Sequence, residues 1–118
     1  MLTLNHKSLD VWKLSVKIIK NIYTITEKFP INEKFGLISQ LRRASVSVAS
    51  NIAEGSSRKS PAERKRFYEI ARSSLVEVDT QLEVSIILNF VHKEELLDFE
   101  VELIIAFKML TSLIKNTN

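Results

Sequence analysis

Cysteine is absent from this 118-residue chain, and glycine and proline occur only twice each. Without cysteine there can be no disulfide scaffold, thiolate-bound zinc, iron–sulfur cluster or thiol catalysis. The absence also suits a cytoplasmic location. A β-sandwich or barrel needs many turn residues, so this scarcity of breakers argues against one and favours long helices. Long apolar runs are missing too. The longest uncharged stretches, residues 44–53 and 84–92, fall far short of the roughly 20 apolar residues a membrane span requires. Residues 1–7 hold no apolar core of the signal-peptide kind, so no export and no membrane partner are expected. At 45% hydrophobic and 26% charged residues, the composition is that of one globular domain covering residues 1–118.

Charge is plentiful but unevenly spread around a net +3. Residues 1–41 carry six Lys against three acids, and residues 42–72 carry eight Lys and Arg against three Glu. Residues 73–118 reverse the balance, with three Lys against eight acids. A basic front and an acidic rear can mark a polyanion-binding face, or charge pairing between neighbouring helices or subunits.

Four segments show helical periodicity. In residues 8–28, Trp12, Val16, Ile19 and Tyr23 repeat at helical spacing, flanked by Val11, Leu14, Ile18, Ile22 and Ile25. Lys13, Lys17 and Lys20 line the outer edge, and Phe29-Pro30 ends the segment because the residue before proline avoids helical geometry. A second helix is expected from Asn32 as N-cap to Gly55 as stop, with Leu37, Leu41, Ala44, Val48 and Ile52 as its apolar stripe. Its small residues (Ala44, Ser45, Ser47, Ala49, Ser50 and Ala53) suit close approach by neighbours, which makes this helix central. Ser60-Pro61-Ala62-Glu63 is a strong helix start, with a Ser cap, Pro at the first position and Glu three residues after the cap. A break is expected at residues 89–93, then a fourth helix over residues 94–114. Leu96, Phe99, Leu103, Phe107, Leu110 and Ile114 would face inward, and Glu94, Asp98 and Glu102 outward to water. Helices of this length joined by short loops predict an all-α fold, an antiparallel up-down four-helix bundle.

No catalytic constellation is visible. His6 and His92 lie far apart, and neither follows a Glu by three residues, as a bundle di-iron site would need. Zinc-protease, phosphate-loop and nucleophile-elbow motifs are missing. The chain therefore reads as a non-enzyme with no cofactor, no metal and no small-molecule substrate. Along the second helix, Gln40, Arg43, Ser47, Asn51 and Glu54 recur at helical spacing and form one strip, centred roughly 80° from the apolar stripe. This strip reads as a structural polar network or a subunit interface. Arg43 is expected to pair with a carboxylate, and Asn51 and Glu54 to tie the strip to the third helix.

The stretch Gln40-Leu41-Arg42-Arg43-Ala44, Ser47-Val48 and Asn51-Ile52-Ala53-Glu54-Gly55 carries a resemblance. It is supported by Leu9-Asp10-Val11-Trp12, Phe29-Pro30, Glu33, Gly36-Leu37, Arg58, Ser60, Glu63, Phe67, Ile70-Ala71-Arg72-Ser73-Ser74, Glu77 and Gln81-Leu82. Together these residues resemble the four-helix-bundle proteins encoded in intervening sequences of bacterial 23S ribosomal RNA genes. A related protein is the accessory variability determinant of diversity-generating retroelements, which binds nucleic acid. The resemblance implies up-down bundles that assemble as rings of five, a homopentamer, with no enzymatic activity. It also implies a basic surface for RNA or DNA, for which Lys13, Lys17, Lys20, Arg42, Arg58, Lys59, Arg64, Lys65 and Arg66 are the candidates here. Phosphate contacts without base reading are expected, since no aromatic RNA-binding motif is present. Trp12, Tyr23 and most Phe residues read as core. The alternative is a protein-interaction scaffold with no nucleic-acid role.

Overall fold

Each of the four amphipathic segments becomes a helix, and there is no strand, so the chain is all-α. In the computed structural model, which describes all of residues 1–118, α1 spans Asp10–Thr26, α2 Leu37–Ser57, α3 Pro61–Ile87 and α4 Leu97–Lys115. Short 3-10 turns at Asn5–Ser8, Ile31–Glu33 and Lys93–Leu96 precede α1, α2 and α4. Consecutive helices pack together, and α1 closes against α4. No helix is long and apolar enough to cross a membrane.

The helix ends follow local chemistry. Ser60 Oγ accepts the Glu63 N–H at 3.2 Å and Pro61 occupies the first position of α3, as the sequence predicts. Twenty-seven residues later α3 closes on Asn89 (φ 63°). There Phe90 N–H reaches Ser85 O at 2.9 Å and Asn89 N–H reaches Ile86 O at 3.0 Å, the paired bonds of a Schellman closure.

Both ends of α2 differ from expectation. Asn32 is not its cap but lies within a 3-10 turn. Glu33 does the capping, its Oε1 accepting the Leu37 N–H at 3.1 Å. Gly36 leaves room for that carboxylate, since a Cβ there would sit 2.7 Å from Glu33 Oε1. Gly55 does not end the helix, which runs on to Ser57. It is needed for close approach: a Cβ would lie 2.7 Å from a Tyr68 ring carbon and 3.1 Å from Phe67 Cβ.

A core of 18 buried residues draws on all four helices. Ile18, Ile22, Leu41, Val48, Ile52, Val78, Ala106 and Leu110 have no contact with solvent. In α1 the deepest row is Val11, Ser15, Ile18, Ile22 and Thr26. Trp12, Val16 and Ile19 are half-buried and Tyr23 is exposed, so the inward face is turned from the row that periodicity picks out. Small hydroxyls can sit inside because they bond back to their own helix: Ser15 Oγ to Trp12 O, Ser45 Oγ to Arg42 O and Ser85 Oγ to Gln81 O. In α4, Ala106 takes the inward place predicted for Phe107, which is exposed.

The α2–α3 seam is pinned by side-chain pairs. Ser56 meets Tyr68 at 3.0 Å, Ser47 meets Ser74 at 2.9 Å and Gln40 meets Gln81 at 3.5 Å. The position recedes along α2 as it advances along α3.

Candidate nucleic-acid interface

The three-residue link from α2 to α3 gathers the densest cations of the chain. Arg58, in extended conformation, ends α2. Its guanidinium pairs with Glu54 at 3.3 Å and lies 4.8 Å over the Phe67 ring. Arg64, one turn into α3, folds back on the link. It donates to Lys59 O at 2.7 Å and Arg58 O at 3.3 Å, and its other terminal nitrogen reaches Asn118 O at 3.2 Å. The side chain thereby caps the link and fastens the chain's last residue. Lys59 and Arg66 are exposed, Lys65 is half-buried, and none of the three forms an ion pair.

The remaining candidates are not collected at this end. Lys13, Lys17 and Lys20 run lengthwise along exposed α1, with Lys20 about 10 Å further along the helix than Lys13. Lys17 is paired with Glu102 at 3.4 Å, and Asn21 donates to the same carboxylate at 2.9 Å. Glu102 therefore faces α1, not open water as its row predicts. Arg42 is half-buried, and two of its three guanidinium nitrogens are engaged. Its Nε donates to Thr26 Oγ1 at 3.0 Å, a terminal nitrogen to Tyr23 O at 3.4 Å, and its plane lies 4.4 Å from the Tyr23 ring centre. Such a strut joins α1 to α2 and leaves little of the cation for a ligand. Arg72 is bound to Thr111 at 3.2 Å across the α3–α4 seam.

The polar strip of α2 divides in the same way. Ser47, Asn51 and Ser74 form a hydrogen-bonded cluster, with Asn51 Nδ2 donating to Ser47 O at 2.8 Å and Ser47 Oγ at 3.0 Å. Gln40 meets Gln81, whose own Oε1 is buried without a partner. Glu54 turns to Arg58 on its own chain segment, not to α3. Arg43 is exposed and makes neither the expected ion pair nor a side-chain hydrogen bond. No three His, Asp or Glu side chains are gathered closely enough to hold a metal ion.

Two open grooves went unseen in the sequence. One, of about 500 Å3, lies between α1 and α2 and is lined by Tyr23, Lys34, Phe35, Ile38, Ser39, Arg42, Arg43 and Val46. The other, of about 280 Å3, lies between α3 and α4 and is lined by Leu75, Val76, Asp79, Leu103, Ile104, Phe107 and Lys108. The available signal was Phe35 itself, a large apolar residue just before Gly36 and off the apolar stripe of α2.

A family model described as 23S rRNA-intervening sequence protein matches residues 7–112. Among solved structures, the chain is similar to a Bacteroides thetaiotaomicron protein described as of unknown function and from the S23 ribosomal protein family. The identity is 25%, the TM-score 0.76, and the alignment covers 90% of this chain and 99% of the other. No curated protein matches the sequence.

Proposed function

We propose that this chain, which belongs to the 23S rRNA-intervening sequence protein family, is a non-enzymatic, oligomeric, antiparallel up-down bundle that binds RNA or DNA in the cytoplasm without reading sequence. One observation carries the reading: Lys59, Lys65 and Arg66 all lie at or just past the α2–α3 link, beside Arg58, with no carboxylate paired to any of the three. Arg64 holds the backbone of that end and is a positioning residue; Arg42 is a strut. The phosphate contacts belong to Arg58, Lys59, Lys65 and Arg66, joined by Lys13 and Lys20 along α1. Binding would be driven by release of the counterions condensed on the nucleic acid, so affinity falls steeply with salt. Assembly multiplies a modest monomer charge into a stronger field. A ring of five, and kinship with the accessory variability determinant of diversity-generating retroelements, rest on the sequence resemblance.

A second reading, a protein-interaction scaffold, draws on the α3–α4 groove, where Val76, Ile104 and Phe107 are exposed together. Contiguous apolar surface of this kind commonly marks a protein contact. A salt titration of binding to mixed RNA and DNA separates the two readings. Replacing Arg58, Lys59, Lys65 and Arg66 with Gln is expected to weaken binding and lower the log–log salt slope by up to about 0.9 per lost contact, with helicity unchanged. An unchanged slope, or no binding by the parent at low salt, sinks the nucleic-acid reading. Light scattering tests assembly against the 13.5 kDa monomer mass.

A further inference from the structure

The groove between α1 and the start of α2 has a chemistry that the basic end lacks. Phe35 stands 89% exposed at its rim, and Tyr23, on the facing helix, is 40% exposed. Three cations line the same groove, Lys34, Arg42 and Arg43, and no carboxylate does. Arg42 already covers one face of Tyr23 and is held there by Thr26, so the tyrosine is a wall. Phe35 is the free platform. Lys34 Nζ lies 5.6 Å from its ring centre, which leaves the opposite face open. Arg43, unpaired and exposed, completes the set.

From this arrangement we infer that the groove takes an unpaired nucleobase stacked on Phe35, with Arg43 and Lys34 on the flanking phosphates. The inference rests on the nucleic-acid reading and sharpens it, because it names a single strand as the preferred partner. An exposed aromatic face beside backbone-tracking cations is the common device for binding single strands without sequence preference. Bases in a duplex are already stacked and cannot use it. Charge separates this groove from the clefts along the α3–α4 side. There Asp79, Glu83 and Glu100 outnumber Lys93 and Lys108, a lining less suited to a phosphate chain than one with no carboxylate.

The test uses the full chain and three fluorescein-labelled probes: a short oligouridylate, an abasic strand of the same length, and a duplex. Phe35→Ala is expected to cost about 5- to 100-fold in affinity for the oligouridylate and to leave the abasic strand and the duplex unaffected. Phe35→Trp should restore the loss. Because the ring is almost wholly in solvent, helicity should not move. Equal oligouridylate binding by the parent and Phe35→Ala overturns the stacking site while leaving the basic end in place. No binding of any probe by the parent overturns both. A fall in assembled mass on Phe35→Ala assigns the groove to a protein contact and also overturns the inference.

Discussion

Helices α2 and α4 are close in length, 21 and 19 residues, yet they handle apolar surface in opposite ways. α2 is built from small and polar side chains, buries Leu41, Ala44, Val48, Ala49 and Ile52, and leaves one sizeable apolar residue, Val46, in solvent. α4 is apolar nearly all round and exposes Leu97, Val101, Ile104, Ile105 and Phe107. Small residues let α2 lie close enough to α3 for serine to meet serine and for Gly55 to press on Tyr68. A helix that is apolar on every side cannot bury all of it against two neighbours. In α2 the sequence serves packing within the bundle, whereas α4 retains surface suited to contact outside it.

Ile52→Ala should strike this contrast hardest. The side chain is fully buried, and its truncation is expected to cost about 2–5 kcal/mol by transfer and cavity terms, read as a lower urea midpoint. Gly55→Ala comes next, at about 1–3 kcal/mol, because the added methyl must displace the Tyr68 ring. If it proves neutral, the α2–α3 seam is looser than its hydrogen bonds indicate. Smallest in stability is Ile104→Ser with Phe107→Ser, expected to move the unfolding free energy of the monomer by only about 0.5 kcal/mol. Its larger effect should be a lower assembled mass by light scattering. An unchanged mass would mean that α4's exposed row is not a subunit contact.

The two cationic regions repeat the lesson at the level of the site. The cations at residues 58–66 were readable because a run of Lys and Arg around a helix start must lie near a loop, and loops reach solvent. Even there Arg64 is diverted to backbone carbonyls. At Arg42 and Arg43, adjacent in sequence, helical geometry turns the two side chains about 100° apart. One is locked against Tyr23 and Thr26 and the other is left free, which is why the proposed groove site uses the second for phosphate and the first as a wall. Phe35 fits no periodic pattern because it lies two residues before α2 starts, off the apolar stripe that begins at Leu37.

Local chemistry alone determined the all-α class, the start of α3 at Ser60-Pro61, the break at Asn89 and most of the core. Caps, breakers and periodicity act within a few residues of themselves and are therefore written in the sequence. Tertiary structure decided the rest: the inward rotation of α1, the continuation of α2 through Gly55, the turning of Glu102 to α1, and which cations remain unpaired. Each of these depends on a partner distant in sequence, such as Tyr68 for Gly55 or Lys17 for Glu102, and it is packing that brings such partners together.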